Sequence, residues 1–165
     1  MTLPGIRGIA LLSAIAAALA LGIALASEIW GGLVPCAFCL MERWPYRVAI
    51  VLGLIAAVVP PRAAWWLLWL LVLTVATGAA MAVVHVGVEQ HLWPDPIPEC
   101  AMPHFTGGSI AERLAQMPAQ PAKPCEDPTY LVPGLQISMA AMNLVYALAF
   151  VVILAVLLWR DRRVA

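Results

Sequence analysis

The sequence predicts an all-α membrane protein: a four-transmembrane-helix bundle with one long loop that contains a short amphipathic helix. Three observations carry this reading. Of 165 residues, 64% are apolar and only 11% are charged, and the mean hydropathy is +0.93, so there is too little polar surface to cover a soluble globule of this size. Four apolar runs recur along the chain, and crossing a ~30 Å hydrocarbon core takes roughly 20 apolar residues. Between the third and fourth runs the composition turns abruptly proline-rich. The formal net charge is zero, which removes any electrostatic argument for nucleic acid or an acidic partner. The chain reads as one domain, residues 1–165, with spans at about 7–29, 40–59, 63–91 and 134–159 and loops at about 30–39 and 92–133.

The first span follows Arg7 and is rich in Ala, Leu and Ile. Ala24, Leu25 and Ala26 resemble a signal-peptide cleavage site, but the run is longer than the usual ~7 to 15 residue apolar region, which favours a retained helix. Glu28, Trp30, Gly31 and Gly32 mark the exit into a short loop. The second apolar run, 46–59, supplies only about three-quarters of a crossing. Its helix must therefore start near Leu40 or within residues 35–43, which puts Arg43 and Arg47 in the first turns, where they can snorkel. Pro45 should kink that helix or mark its first turn, and Pro60, Pro61 and Arg62 make a tight return.

Trp65, Trp66 and Trp69 open the third span as an interfacial belt, and residues 77–80 are small enough for a neighbouring helix to approach closely. Near its far end His85 and Glu89 are four residues apart, on one face. They read either as an interfacial pair or as a quinone or proton contact, because ionisable groups in spans mark functional sites. The proline-rich loop is expected to be extended and mobile, except for residues 109–117, where Ser109 as N-cap and Glu112 three on form a capping box. In the last span Ser138, Asn143 and Tyr146 suit interhelical hydrogen bonds.

With four spans, Arg7, Arg62, Arg160, Arg162 and Arg163 crowd short segments on one side, while Arg43, Arg47, Arg113 and Lys123 are spread over longer ones on the other. The positive-inside rule then puts both termini in the cytoplasm and both cysteine-bearing loops outside, the compartment in which disulfides persist.

Reactive chemistry concentrates in residues 35–43, Pro-Cys-Ala-Phe-Cys-Leu-Met-Glu-Arg. Cys36 and Cys39 form a C-x-x-C pair, which serves redox chemistry or half of a zinc site. As a structural disulfide it would close almost no loop and so gain little. Zinc would also need Cys100 and Cys125, which stand 25 residues apart in a proline-rich loop and are not preset ligands. No metal is expected. Leu40 stands where c-type haem attachment requires histidine. A relay fits better: an accessible, mobile Cys100/Cys125 disulfide takes electrons from a partner, and Cys36/Cys39 at the membrane rim pass them to a lipid-soluble oxidant. Arg43 would stabilise a thiolate on Cys39 and polarise a quinone carbonyl.

Taken together, the four spans, Pro-Cys-x-x-Cys followed by Glu42 and Arg43, the Trp93-Pro94 exit from the third span, the long loop with Cys100 and Cys125, and Ser138-Met139 opening the fourth resemble the DsbB family of bacterial inner-membrane disulfide-forming quinone reductases. The resemblance covers nearly the whole chain. It implies a multi-pass inner-membrane thiol:quinone oxidoreductase that reoxidises a periplasmic, thioredoxin-fold DsbA-like partner, with ubiquinone or menaquinone as acceptor. Cys100 would form the mixed disulfide, Cys125 would exchange with Cys36, and Cys39 would face the quinone beside Arg43. Met139 falls where the family lines its quinone pocket. Some members carry a quinone-contacting histidine at the place of Gly87 here; His85 lies two residues earlier, on a different helical face, and is a candidate cofactor contact. Two other readings stand beside this one: a DsbB-like relative serving one specialised partner, and a non-catalytic scaffold with inert disulfides.

Overall fold

The computed structural model describes residues 5–97, 100, 109–110, 123–131, 134 and 136–161. These form four helices, α1 (Ile6–Ile29), α2 (Ala37–Val58), α3 (Pro61–Glu89) and α4 (Met139–Asp161). Among the described residues there is no strand, only an isolated antiparallel bridge between Tyr130 and Ser138. α1, α3 and α4 are long and apolar enough to cross a membrane, which makes this a multi-pass membrane protein. α2 has the length, 22 residues or about 33 Å at 1.5 Å per residue. It falls short by composition alone, because Glu42, Arg43 and Arg47 occupy its first turns. The amphipathic helix expected at 109–117 lies outside the described residues except for Ser109 and Ile110, as do Arg113, Arg162 and Arg163.

Local chemistry sets the helix ends. α2 begins earlier than Leu40, because Cys36 itself is the N-cap and its sulfur accepts the backbone N–H of Cys39. Pro61 occupies the first position of α3, where its missing donor costs nothing. α3 ends with His91 in the left-handed region at φ 54°, while Leu92 N–H returns to Gly87 O. α4 starts where Met139 N–H meets Thr129 O at 2.7 Å, so the preceding loop is tied across its N-terminus.

In the bundle α2 lies between α1 and α3, while α4 packs on α3 and closes onto α1. The core contains Ile9, Leu68, Leu71, Leu154 and Leu158, with alanines between them. Small residues set the helix spacing. A Cβ at Gly53 would sit 2.9 Å from Ala14 Cβ and 3.0 Å from Ala10 O, so α1 and α2 nearly touch there. A Cβ at Gly78 would lie 3.0 Å from Pro45 Cβ: the proline ring of α2 fills the notch that the small stretch of α3 provides. Pro45 is thus buried inside a continuing helix and does not mark its first turn. Leu12, Leu19, Val152 and Ile153 point outward and suit contact with lipid.

Gly53→Val and Gly78→Val should each lower stability by about 1–3 kcal/mol through overpacking, while Gly22→Ala, with nothing within 4 Å of its added carbon, should leave it unchanged or slightly raised. Thermal unfolding in detergent, followed by circular dichroism, measures all three.

Candidate functional site

The cysteine motif folds into the first turn of α2. Cys36 and Cys39 are free thiols with their sulfurs 2.9 Å apart. The hydrogen bond from Cys39 pulls the Cys36 thiol below its ordinary range; burial opposes this, the Cys39 backbone N–H adds to it, and the Glu42 carboxylate opposes it more weakly. A sulfur capping a helix N-terminus favours the thiolate for the same reason.

A buried chain of polar groups runs from Cys36 across three helices. Cys36 Sγ lies 3.4 Å from His85 Nε2. His85 Nδ1 lies 2.9 Å from Glu42 Oε1. Asn143 Nδ2 donates to Glu42 Oε2 at 2.7 Å, and Tyr46 Oη donates to Asn143 Oδ1 at 2.6 Å. Phe38 stacks on the His85 ring with centroids 5.2 Å apart. Glu89, also buried, accepts from Ser138 Oγ, and Tyr146 Oη donates to Ala16 O. Each of the three polar residues singled out on the last helix therefore makes an interhelical bond.

Spacing on α2 explains which groups share a surface. Cys39, Glu42, Arg43 and Tyr46 follow the i, i+3, i+4, i+7 pattern of one helical stripe. That stripe forms one wall of a cavity of about 260 Å³ between α1, α2, α4 and the 129–131 loop, with Leu21, Leu33, Met139 and Met142 among its apolar walls. Arg43 is buried and does not snorkel: its NH1 donates to Glu28 Oε2 at 2.6 Å. Its Nε is a buried donor without a partner among the described residues. An apolar, partly open cavity with a guanidinium donor and a cysteine in its wall fits a flat apolar ligand bearing a carbonyl.

Met139, Arg43 and Cys39 line this cavity, whereas Cys36 and His85 do not. His85, only 2% exposed, stands on the far side of Glu42, against Cys36. Gly87 cannot host a side chain: a Cβ there would fall 1.8 Å from the Trp93 ring, whose Nε1 donates to Val84 O at 3.0 Å. Trp93 takes the volume at that position, and His85, two residues earlier, faces Cys36 and not the cavity.

Cys100 and Cys125 form a disulfide with Cα atoms 5.1 Å apart. The expectation of an accessible pair is corrected here. The two residues are 1% and 0% exposed and cluster with Cys36, Phe38 and Val88, flanked by Ile97. A disulfide is apolar, and its burial against the α2 terminus overrides the openness that the proline content suggested. Glu42 and Asn143 were not singled out as site residues in the sequence; the available signal was an ionisable group at a span's entrance, three residues after Cys39.

The family model described as DsbB, disulfide bond formation protein DsbB, matches residues 6–157. Disulfide bond formation protein B of Azoarcus sp. (strain BH72) is 34% identical over 87 residues, which is 52% of this chain and 50% of that protein. The chain thus spans about half the length of the curated relative it matches. No solved structure matches.

Because the Cys36 thiol is held low chiefly by Cys39, Cys39→Ala should raise its pKa. Less Cys36 is then thiolate at neutral pH. The pH midpoint of Cys36 alkylation in the reduced protein, read by mass spectrometry, should move upward relative to the unaltered chain.

Proposed function

This chain belongs to the DsbB family of disulfide bond formation proteins, and on that premise we propose that it is a thiol:quinone oxidoreductase that reoxidises a DsbA-like periplasmic dithiol oxidase. The observation that carries the proposal is the placement of the two sulfurs at the start of α2: Cys36 lies within the buried cluster of the loop disulfide, and Cys39, which packs against that cluster, also lines the apolar cavity with Arg43. Three residues apart, the two sulfurs are neighbours that join the loop disulfide to the cavity.

In this reading the four helices are four spans of a single domain in the bacterial inner membrane, surrounded by lipid, with α2 as the least apolar of them. Arg7, Arg62 and Arg160 mark the cytoplasmic side, and both cysteine pairs are periplasmic. The partner's thiolate attacks Cys100 once the loop lifts from Phe38 and Val88, and Cys125 is released. Cys125 attacks the Cys36–Cys39 disulfide at Cys36 and releases Cys39; the partner's second thiol displaces Cys100 and leaves the partner oxidised, and Cys100 then attacks Cys125, which closes the loop disulfide again and leaves Cys36 and Cys39 as thiols. Ubiquinone or menaquinone, when bound, supplies the acceptor of two electrons and two protons. Arg43 presents its guanidinium to a carbonyl, Met139 and Met142 hold the apolar ring, and Glu28 fixes the guanidinium in place.

The purified chain should reduce a soluble quinone when given a reduced DsbA-like protein, and Cys36→Ser or Cys39→Ser should abolish this; unimpaired turnover in either variant contradicts the reading. Arg43→Met, which removes a charged hydrogen bond of about 1.5–3 kcal/mol, should raise the quinone KM about tenfold or more. Initial rates across a quinone titration measure it.

A further inference from the structure

Cys36 and Cys39 must release two protons when they become a disulfide, yet only Cys39 borders the cavity. Cys36 is 5% exposed and its polar neighbour His85 is 2% exposed, so water offers no ready outlet for the Cys36 proton. Among the described residues two polar paths leave Cys36 Sγ: one reaches Cys39 Sγ at 2.9 Å, a thiol that must shed its own proton, and the other leads to His85 Nε2 at 3.4 Å and from Nδ1 to Glu42 Oε1 at 2.9 Å. Glu42 lines the cavity and its other oxygen is held by Asn143. We infer that His85 and Glu42 carry the Cys36 proton to the cavity, so that Glu42 is the internal proton donor to the bound quinone. The inference rests on the quinone reductase reading above.

The step balances. The S–H bonds of Cys36 and Cys39 break, one S–S bond forms, and two electrons and two protons pass to the quinone, which gains two O–H bonds. The Cys39 proton enters the cavity directly. His85 takes the Cys36 proton on Nε2 and gives its Nδ1 proton to Glu42 Oε1, and Glu42 hands that proton to the cavity. Loss of the Nε2 proton and reprotonation of Nδ1 between turnovers restore the starting tautomer. A carboxylate that alternates between ionised and protonated needs partners in both states. Asn143 donates to it when it is ionised, and His85 accepts when it is protonated.

The other ionisable and polar groups facing this path are Cys39 and Tyr46 on α2, Glu89 on α3, Ser138 just before α4, and Asn143 and Tyr146 on α4. The Glu28–Arg43 pair joins α1 to α2, and Lys123 stands in the loop. Glu89 is engaged by Ser138, and Glu28 by Arg43, which leaves Glu42 as the carboxylate bonded to His85.

Two readouts on the full chain in nanodiscs test this. Without quinone, the pH profile of Cys36 alkylation in the reduced protein should move upward by about one unit or more in His85→Gln, which loses the base that takes the thiol proton. With quinone, Glu42→Gln should slow single-turnover reduction by about 10²-fold or more and enlarge the solvent deuterium effect, with exchange between the two cysteine pairs retained. Glu42→Asp, which keeps a carboxyl group, should recover part of that rate. A wild-type profile in His85→Gln, wild-type rates in Glu42→Gln, or an aspartate no faster than the glutamine overturns the inference while the oxidoreductase reading stands. An unaltered chain that reduces no quinone overturns both.

Discussion

Glu42 is a carboxylate sealed inside a bundle of apolar helices, and the arrangement of the bundle follows from satisfying it. A buried charge is expensive, and removing one partner of such a group costs about 3–5 kcal/mol. Its two oxygens take their partners from two other helices, His85 on α3 and Asn143 on α4, and Tyr46 of α2 locks Asn143 in turn. Together these bonds fix how far α2 is rotated about its axis. That rotation decides which sulfur lines the cavity.

The rest of the packing agrees with that orientation. The Pro45 ring seats in the Gly78 notch, and Gly53 allows α1 to press against the middle of α2. Arg43, on the same stripe as Cys39, is brought inside the bundle and paired with Glu28 of α1. At the end of α3, Trp93 folds back over Gly87 and leaves His85 as the imidazole that reaches Cys36. Chemistry at the α2 terminus thus depends on contacts from every other helix.

Much of this was legible in the residues. The apolar runs located the helices to within a few residues, because a span has a required length and prolines and charges stop it. The pairing of Ser138, Asn143 and Tyr146 across helices followed from the cost of polar groups in an apolar bundle. What the residues did not carry was pairing over long separations. Glu42 and His85 are 43 positions apart and Glu42 and Asn143 are 101, and no periodicity connects them. The burial of Cys100 and Cys125 was also hidden, since proline content reports on backbone freedom and is silent on what an apolar disulfide packs against. Gly87 looked like a missing histidine, while its actual meaning, room for an indole ring, required the position of Trp93.

Cys36, Cys100 and Cys125 share one buried cluster, and the proposed relay between the two cysteine pairs rests on that proximity. It is tested most directly in the double variant Cys39→Ser, Cys100→Ser, which leaves one sulfur of each pair. Peptide mapping under non-reducing conditions, after mild oxidation of the chain in lipid, should find Cys36 joined to Cys125 within a single chain. Two thiols that remain open to alkylation, or that link only between separate chains, would contradict it.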